Sequence, residues 1–227
     1  MKRQVIPELL DSDAGTAAEI SAALADLRRI NRWFGGVSTT ASMVEHVADK
    51  LKAQSLSLLE VAAGAGHVPQ AASVRAQRKG LAVQITLLDR AHSHLRNGFG
   101  NGAHAVAGDA LALPFADASF TLVSCCLFVH HLEPQEVVQF VDEGLRACRV
   151  AVLINDLVRH PLHLALAYAS LPLYRSRITH HDALASVRRA YTQEEMYEML
   201  RKTRAARVEI RRHPLFRMGV ITWKETR

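Results

Sequence analysis

The stretch Leu58-Leu59-Glu60-Val61-Ala62-Ala63-Gly64-Ala65-Gly66-His67-Val68-Pro69 carries the reading of this chain. An apolar run ends in a carboxylate, passes two glycines and enters a segment where Pro69 suits the first turn of a helix. Strand, tight loop and helix in that order open an α/β sheet, whose ligand sits outside the carboxyl ends of the strands. Glycines there let a backbone pass close to a ligand, and the following helix offers unpaired N–H groups. A dinucleotide fingerprint requires a third glycine three residues after the second. Pro69 stands in that place and no Walker loop follows, so a nicotinamide-dependent oxidoreductase is kept only as the alternative.

Outward from this loop, five runs read as buried strands: Leu56 to Val61, Val83 to Leu88, His104 to Ala107, Phe120 to Leu127 and Val150 to Asn155. Helical stretches alternate with them, from Val68 to Lys79 before Gly80, from Ala91 to Arg96, and from Pro134 to Ala147. Upstream, Thr16-Ala-Ala-Glu19 is a capping box opening a helix with Ile20, Leu24, Leu27 and Ile30 on one face; Gly35-Gly36 ends it, and a second helix starts near Ser38. Downstream, Thr192-Gln-Glu-Glu195 caps another helix, and Val208 to Arg211 and Phe216 to Trp223 flank His213-Pro214 as an edge hairpin. The expected fold is α/β: a Rossmann-like, doubly wound, mostly parallel seven-stranded sheet with a C-terminal antiparallel hairpin, N-terminal helices and a helical lid insertion. One domain is expected, with a cap at 1–54, a cofactor-binding core at 55–156, a lid at 157–191 and a last helix with hairpin at 192–227.

Acids follow the strands at informative places. Asp89, after the second strand, is placed to accept hydrogen bonds from both hydroxyls of a ribose without a 2′-phosphate. After the third comes Gly108-Asp109-Ala110-Leu111-Ala112-Leu113-Pro114-Phe115, where Asp109 can accept from an adenine amino group and Leu111 can pack on the ring; the fourth strand closes on His130-His131-Leu132. Alone, any such acid could equally cap a turn.

Taken in order over Leu58 to Ile154, these motifs resemble a class I S-adenosylmethionine-dependent methyltransferase, of the small-molecule type similar to the ubiquinone and menaquinone biosynthesis enzymes. The resemblance implies S-adenosylmethionine as cofactor and S-adenosylhomocysteine as product. It implies Glu60, Ala62, Gly64 and Gly66 along the methionine part, Asp89 and Arg90 at the ribose, Asp109, Ala110 and Leu111 at the adenine, and Cys126 near the amino group. Two positions depart from the family pattern: Ala62 replaces the first loop glycine, and Thr121 stands where an acid is usual.

Methyl transfer from a sulfonium is an in-line displacement, so the protein mainly aligns acceptor, methyl and sulfur. A base is needed where the acceptor starts protonated. His130 and His131 are the catalytic candidates, with Asp156 and the His180-His181-Asp182 cluster in reserve. Pro161 to Tyr174 is apolar nearly all round, which calls for burial on several sides or an apolar ligand. Arg29 to Gly36 and His181 to Tyr191 are similar to a bacterial subgroup that modifies aromatic polyketides or phenolic lipids. The expected acceptor is therefore a small apolar aromatic molecule, with oxygen favoured over carbon.

Composition agrees with a globular protein: of 227 residues, 49% are hydrophobic and 22% charged. No metal-ligand set is read from it. The net charge of +6 and the late cluster of arginines would suit a non-catalytic nucleic-acid-associated protein, but no RNA-binding or zinc-finger motif accompanies them, and no nucleic-acid partner is expected. Cys125, Cys126 and Cys148 are odd in number, two of them adjacent, as suits a reducing cytoplasm. Glu8, Asp11 and Asp13 interrupt any export signal, and Leu162 to Leu173 is too short to span a bilayer, so membrane contact would be limited to peripheral association with an apolar substrate.

Overall fold

The computed structural model describes residues 1–12, 14–90 and 104–225. The expected helix from Ala91 to Arg96 lies outside them. Strands β1 (Ser55–Val61), β2 (Ala82–Asp89), β3 (His104–Ala107), β4 (Phe120–Cys126), β5 (Cys148–Leu157), β6 (Arg207–His213) and β7 (Arg217–Trp223) form one sheet in the order β3-β2-β1-β4-β5-β7-β6. The first five run parallel, while β7 is antiparallel to both β5 and β6. The direction of winding reverses between β1 and β4, which is where a doubly wound sheet leaves a crevice for a ligand.

Period-two alternation divides the core between the faces. Leu59, Val61 and Val123 face α4 (Pro134–Ala147), which buries Val137, Phe140, Val141 and Leu145. Leu58, Leu122 and Leu153 face the other way, onto Met43, Val44 and Val47 of α2 (Gly36–Leu51) and Ala76 of α3 (His67–Gln77). Helix α1 (Ala17–Trp33) opens on the capping box that the sequence signals: the Thr16 hydroxyl accepts from Glu19 N–H, and the Glu19 carboxylate from Thr16 N–H at 2.8 Å. Such a cap contributes about 1 kcal/mol.

Several boundaries move by one to three residues, and three of them do so for a backbone reason. Helix α2 begins at Gly36, because Gly35 in the left-handed region (φ +85°) already turns the chain into it. Strand β4 stops at Cys126, since Leu127 has φ +55°. Strand β7 starts at Arg217, because Leu215 and Phe216, at φ +60° and +57°, belong to the hairpin turn.

The insertion folds into α5 (Pro161–Ser170), a 3₁₀ turn (Leu171–Leu173) and α6 (Arg177–Arg189), followed by α7 (Gln193–Leu200). Helix α5 does not find burial on several sides. Only Ala167 is buried, while Leu162 and Leu173 are 55% and 56% exposed and Leu166 and Tyr168 are exposed too. It is attached through His163, whose ring stacks on Phe216 at 5.1 Å, and through Tyr168, whose hydroxyl accepts from Arg188 of α6 at 2.6 Å.

Candidate active site

The loop after β1 lies along the ends of β1 and β2. Ala63 N–H donates to Leu88 carbonyl at 3.0 Å, and Gly64 N–H donates to a carboxylate oxygen of Asp89 at 2.7 Å. Asp89 thus anchors the loop itself, a contact that its position in the sequence does not announce. The two glycines are needed for different reasons. A Cβ on Gly64 (φ +52°) would meet nothing within 4 Å, so this face of the loop is open, whereas a Cβ on Gly66 (φ +69°) would lie 2.5 Å from Leu87 Cδ1. Ala62 takes φ +53°, so the departing alanine adopts the left-handed conformation a glycine would supply. For an L-residue that conformation costs about 1–2 kcal/mol.

Glu60 ends up buried beneath this loop, 2% exposed, and accepts a hydrogen bond from the Ser124 hydroxyl. Burial pushes its carboxyl up to about 7, with the Ser124 hydrogen bond acting in the opposite direction. After β3, Asp109 accepts from Leu111 N–H at 2.9 Å, closing a short turn that leaves Asp109 exposed and Ala110 and Leu111 half-buried. Arg146 of α4 holds the rest of that motif by donating to the carbonyls of Leu113 and Phe115 at 3.0 and 2.7 Å. Arg90 is exposed at the end of β2. An acid beside an open glycine loop, with a second acidic turn next along the sheet edge, is a donor and acceptor set that fits an adenosyl cofactor. Thr121 lies at the opposite edge, bonded to Ser57 and Arg149, so this departure from the family pattern does not touch the loop.

On the other side of the crevice, Cys126 at the end of β4 is half-buried, and burial pushes its thiol up to about 12. Beside it is a buried polar network not foreseen from sequence. Arg217, 1% exposed, donates to Phe34 carbonyl at 3.0 Å and to Asn31 Oδ1 at 3.2 Å, while Asn155 donates to Gly36 carbonyl at 2.7 Å. This network ties α1 across the carboxyl edge of the sheet.

His130 and His131 occupy a 3₁₀ turn (Val129–His131) after β4, with ring centroids 4.2 Å apart. Nδ1 of His130 lies 2.6 Å from Asp156 at the end of β5, and that carboxylate also accepts His130 N–H at 3.1 Å. Nδ1 of His131 lies 2.9 Å from Asp11. Both Nε2 atoms face Glu8, at 3.3 Å from His130 and 3.7 Å from His131. Burial alone would lower His130; Asp156 first and Glu8 after it outweigh this and raise it to about 10. Glu8 and Asp11 were missed because no local spacing links them to residues about 120 positions away. Of the reserves, Asp156 joins this cluster, while Asp182 accepts from Leu9 N–H at 2.8 Å and Leu10 N–H at 3.1 Å and so docks the N-terminal segment. His181 is paired with Asp182 at 2.8 Å.

Residues 58–150 match a family model described as a methyltransferase domain. Over that stretch, the cofactor-binding core of the sheet, the chain is similar to the methyltransferases. Its fold is that of methyltransferases of known structure. The plantazolicin methyltransferase BpumL, solved with S-adenosylhomocysteine, superposes with a TM-score of 0.73 at 13% identity, over 95% of this chain and 92% of that one. A methyltransferase from Aquifex aeolicus gives 0.53 at 14% identity over 74% and 81%. The magnesium protoporphyrin IX methyltransferase of Synechocystis PCC 6803, also with S-adenosylhomocysteine, gives 0.53 at 12% identity over 82% of each chain. No curated protein matches the sequence. Among its described residues no helix is long and apolar enough to cross a membrane, and its three cysteines are free.

Proposed function

We propose that this chain is a class I S-adenosylmethionine-dependent methyltransferase that modifies a hydroxyl oxygen of a small apolar aromatic acceptor, phenolic or quinol-like, in a reducing cytoplasm. The observation that carries this reading is the pair of imidazoles backed by carboxylates at the ends of β4 and β5, across the switch point from the glycine loop. Glu60, the 62–66 loop and Asp89 would hold the methionine and ribose parts, and Asp109 to Leu111 the adenine. When bound, the cofactor supplies an electrophilic methyl on a sulfonium that carries its own leaving group.

The chain's own contribution is alignment and proton handling. Asp156 orients His130, which is sealed in at 2% exposure, so His130 acts in this reading as a positioning residue. His131, whose side chain is 18% exposed, is the member open to an acceptor and takes its proton. The uncovered leucines of α5 agree with an apolar acceptor. The plantazolicin and magnesium protoporphyrin enzymes share this fold with acceptors of different kinds, so the fold itself does not choose one.

Incubation with S-adenosylmethionine and a panel of phenols graded in pKa, read by product mass and position of methylation, tests this. His131→Ala should lower turnover of a weakly acidic phenol by roughly 10²–10⁴-fold and leave S-adenosylhomocysteine affinity intact. Methylation on carbon, or native turnover in His131→Ala, would overturn it.

A further inference from the structure

Glu8, His130 and His131 have an arrangement that proton transfer does not require. Their ligand-capable atoms lie within 4.8 Å of one another. Ion–donor bonds of about 2.0–2.1 Å at a tetrahedral centre put neighbouring donors roughly 3.3 Å apart. The carboxylate oxygen of Glu8 lies 3.3 Å from Nε2 of His130 and 3.7 Å from Nε2 of His131. Nε2 of His130 is buried and, although it lies within ion-pair distance of Glu8, is not aimed well enough at that oxygen for a hydrogen bond of ordinary geometry. Donors that converge on a common point, and not on each other, have this geometry.

The outer partners repeat the pattern. Nδ1 of each ring faces a carboxylate, Asp156 at 2.6 Å and Asp11 at 2.9 Å. A proton shared there leaves the Nε2 lone pair directed inward, the tautomer that a metal-bound imidazole needs. The Ser186 hydroxyl donates to the inward oxygen of Glu8 at 2.7 Å and fixes its rotamer. Three carboxylates, Glu8, Asp11 and Asp156, surround the two rings, with two guanidinium groups as nearby fixed cations, Arg189 at 3.8 Å from Asp11 and Arg3 at 3.3 Å from the His130 carbonyl. The same carboxylates that raise His130 also favour a dication, which on binding displaces the His130 proton and takes the imidazole in its neutral form.

We propose that Glu8, His130 and His131 form a site for one divalent first-row transition-metal ion, zinc above all, bound through a carboxylate oxygen and two imidazole Nε2 atoms. Two nitrogens and one oxygen suit zinc and its neighbours, and not magnesium or calcium, which take oxygen ligands. Because Glu8 belongs to the N-terminal segment and the histidines to the turn after β4, the ion fastens that segment over the acceptor side. The inference deepens the acceptor reading, on which it rests only for what the ion does. With the ion bound, His131 would be a ligand in place of the base assigned to it above, and the ion would take over that part by lowering the pKa of an acceptor oxygen brought to its remaining position.

The test uses the full chain with a removable tag that contains no histidine, stripped with a chelator. It is titrated with Zn²⁺ by calorimetry and with Co²⁺ by visible absorption. One ion per chain is expected at micromolar affinity or better, with intense ligand-field bands for Co²⁺. Glu8→Gln and His131→Ala, both at the rim of the cluster and checked for native circular dichroism, should each weaken Zn²⁺ binding by about 10²-fold or more. Asp11→Asn should weaken it by about 10–100-fold. Absence of saturable Zn²⁺ binding overturns the proposal, as does binding that survives both Glu8→Gln and His131→Ala. S-adenosylhomocysteine titrated into the stripped chain is the separate readout: its failure to bind would count against the acceptor reading and leave the metal result standing.

Discussion

At the ends of β1 and β2 the proposed site is assembled mostly from near neighbours in sequence, with 25 positions between Gly64 and Asp89. At the ends of β4 and β5 it is closed by residues from the far N-terminus, with 120 positions between Asp11 and His131. In the reading proposed above, the near-neighbour half holds the cofactor through the backbone of its loop, so its residue types stand in a recognisable order. The acceptor half depends on which side chains the tertiary fold brings together, and nothing local constrains their spacing. Cofactor binding and acceptor chemistry should therefore respond separately to mutation.

The largest effect should come from Asp89→Ala. It removes the proposed partner of two ribose hydroxyls, each charge-assisted bond worth about 1.5–3 kcal/mol, and frees Gly64 N–H of the loop. S-adenosylhomocysteine affinity should fall by about 10²–10⁴-fold in calorimetry. An unchanged affinity would remove the cofactor half from the comparison.

Next in size is the N-terminal attachment. Asp182→Ala deletes the acceptor for Leu9 and Leu10 N–H, a loss of about 2–4 kcal/mol of local docking energy. Proteolysis within the first ten residues should speed up by more than tenfold while cofactor affinity holds. Equal loss of both would show that the two halves are one unit.

Glu60 gives the comparison a pH axis. Its folded carboxyl is raised to about 7 from an ordinary 4.5, so its neutral form is favoured in the folded chain without ligand. The stability this favours is complete below pH 4.5 and is lost as pH rises through 7. A cofactor carrying cationic groups favours the ionised form, so its affinity should increase between about pH 5 and 7, by up to about tenfold per unit, with proton release on binding. In Glu60→Gln that slope should vanish. A slope that persists would assign it elsewhere.

The smallest expected change is Ala62→Gly. Relief of the left-handed alanine, less the added freedom of the unfolded chain, should stabilise by about 0.5–1 kcal/mol, or a few degrees in melting temperature. A decrease would mean that the alanine methyl makes a compensating contact in solution.

Much of the fold was legible because burial on both faces of a parallel strand and a helix between strands leave periodic traces. Thr16, Thr192 and Pro134 mark helix starts that the structure reproduces. Boundaries were missed where Leu127, Leu215 and Phe216 enter the left-handed region, since nothing in those residue types signals it. The apolar segment from Leu162 to Leu173 was expected to need burial, yet the sheet faces are already filled by α2, α3, α4 and α7, and α5 remains outside.

By itself the sequence determined the strand and helix order, the glycine loop with its acids, and the two histidines after β4, because each is a local pattern set by backbone geometry or burial. Only the tertiary structure decided that Asp89 braces the loop and that Asp156 backs His130. Only it, too, showed that Arg217 is sealed among Phe34, Asn31 and Asn155, and that Glu8 faces both imidazoles. Those contacts join residues that chain connectivity does not relate. They form only when the sheet, α1 and α6 together fix where an N-terminal segment can lie.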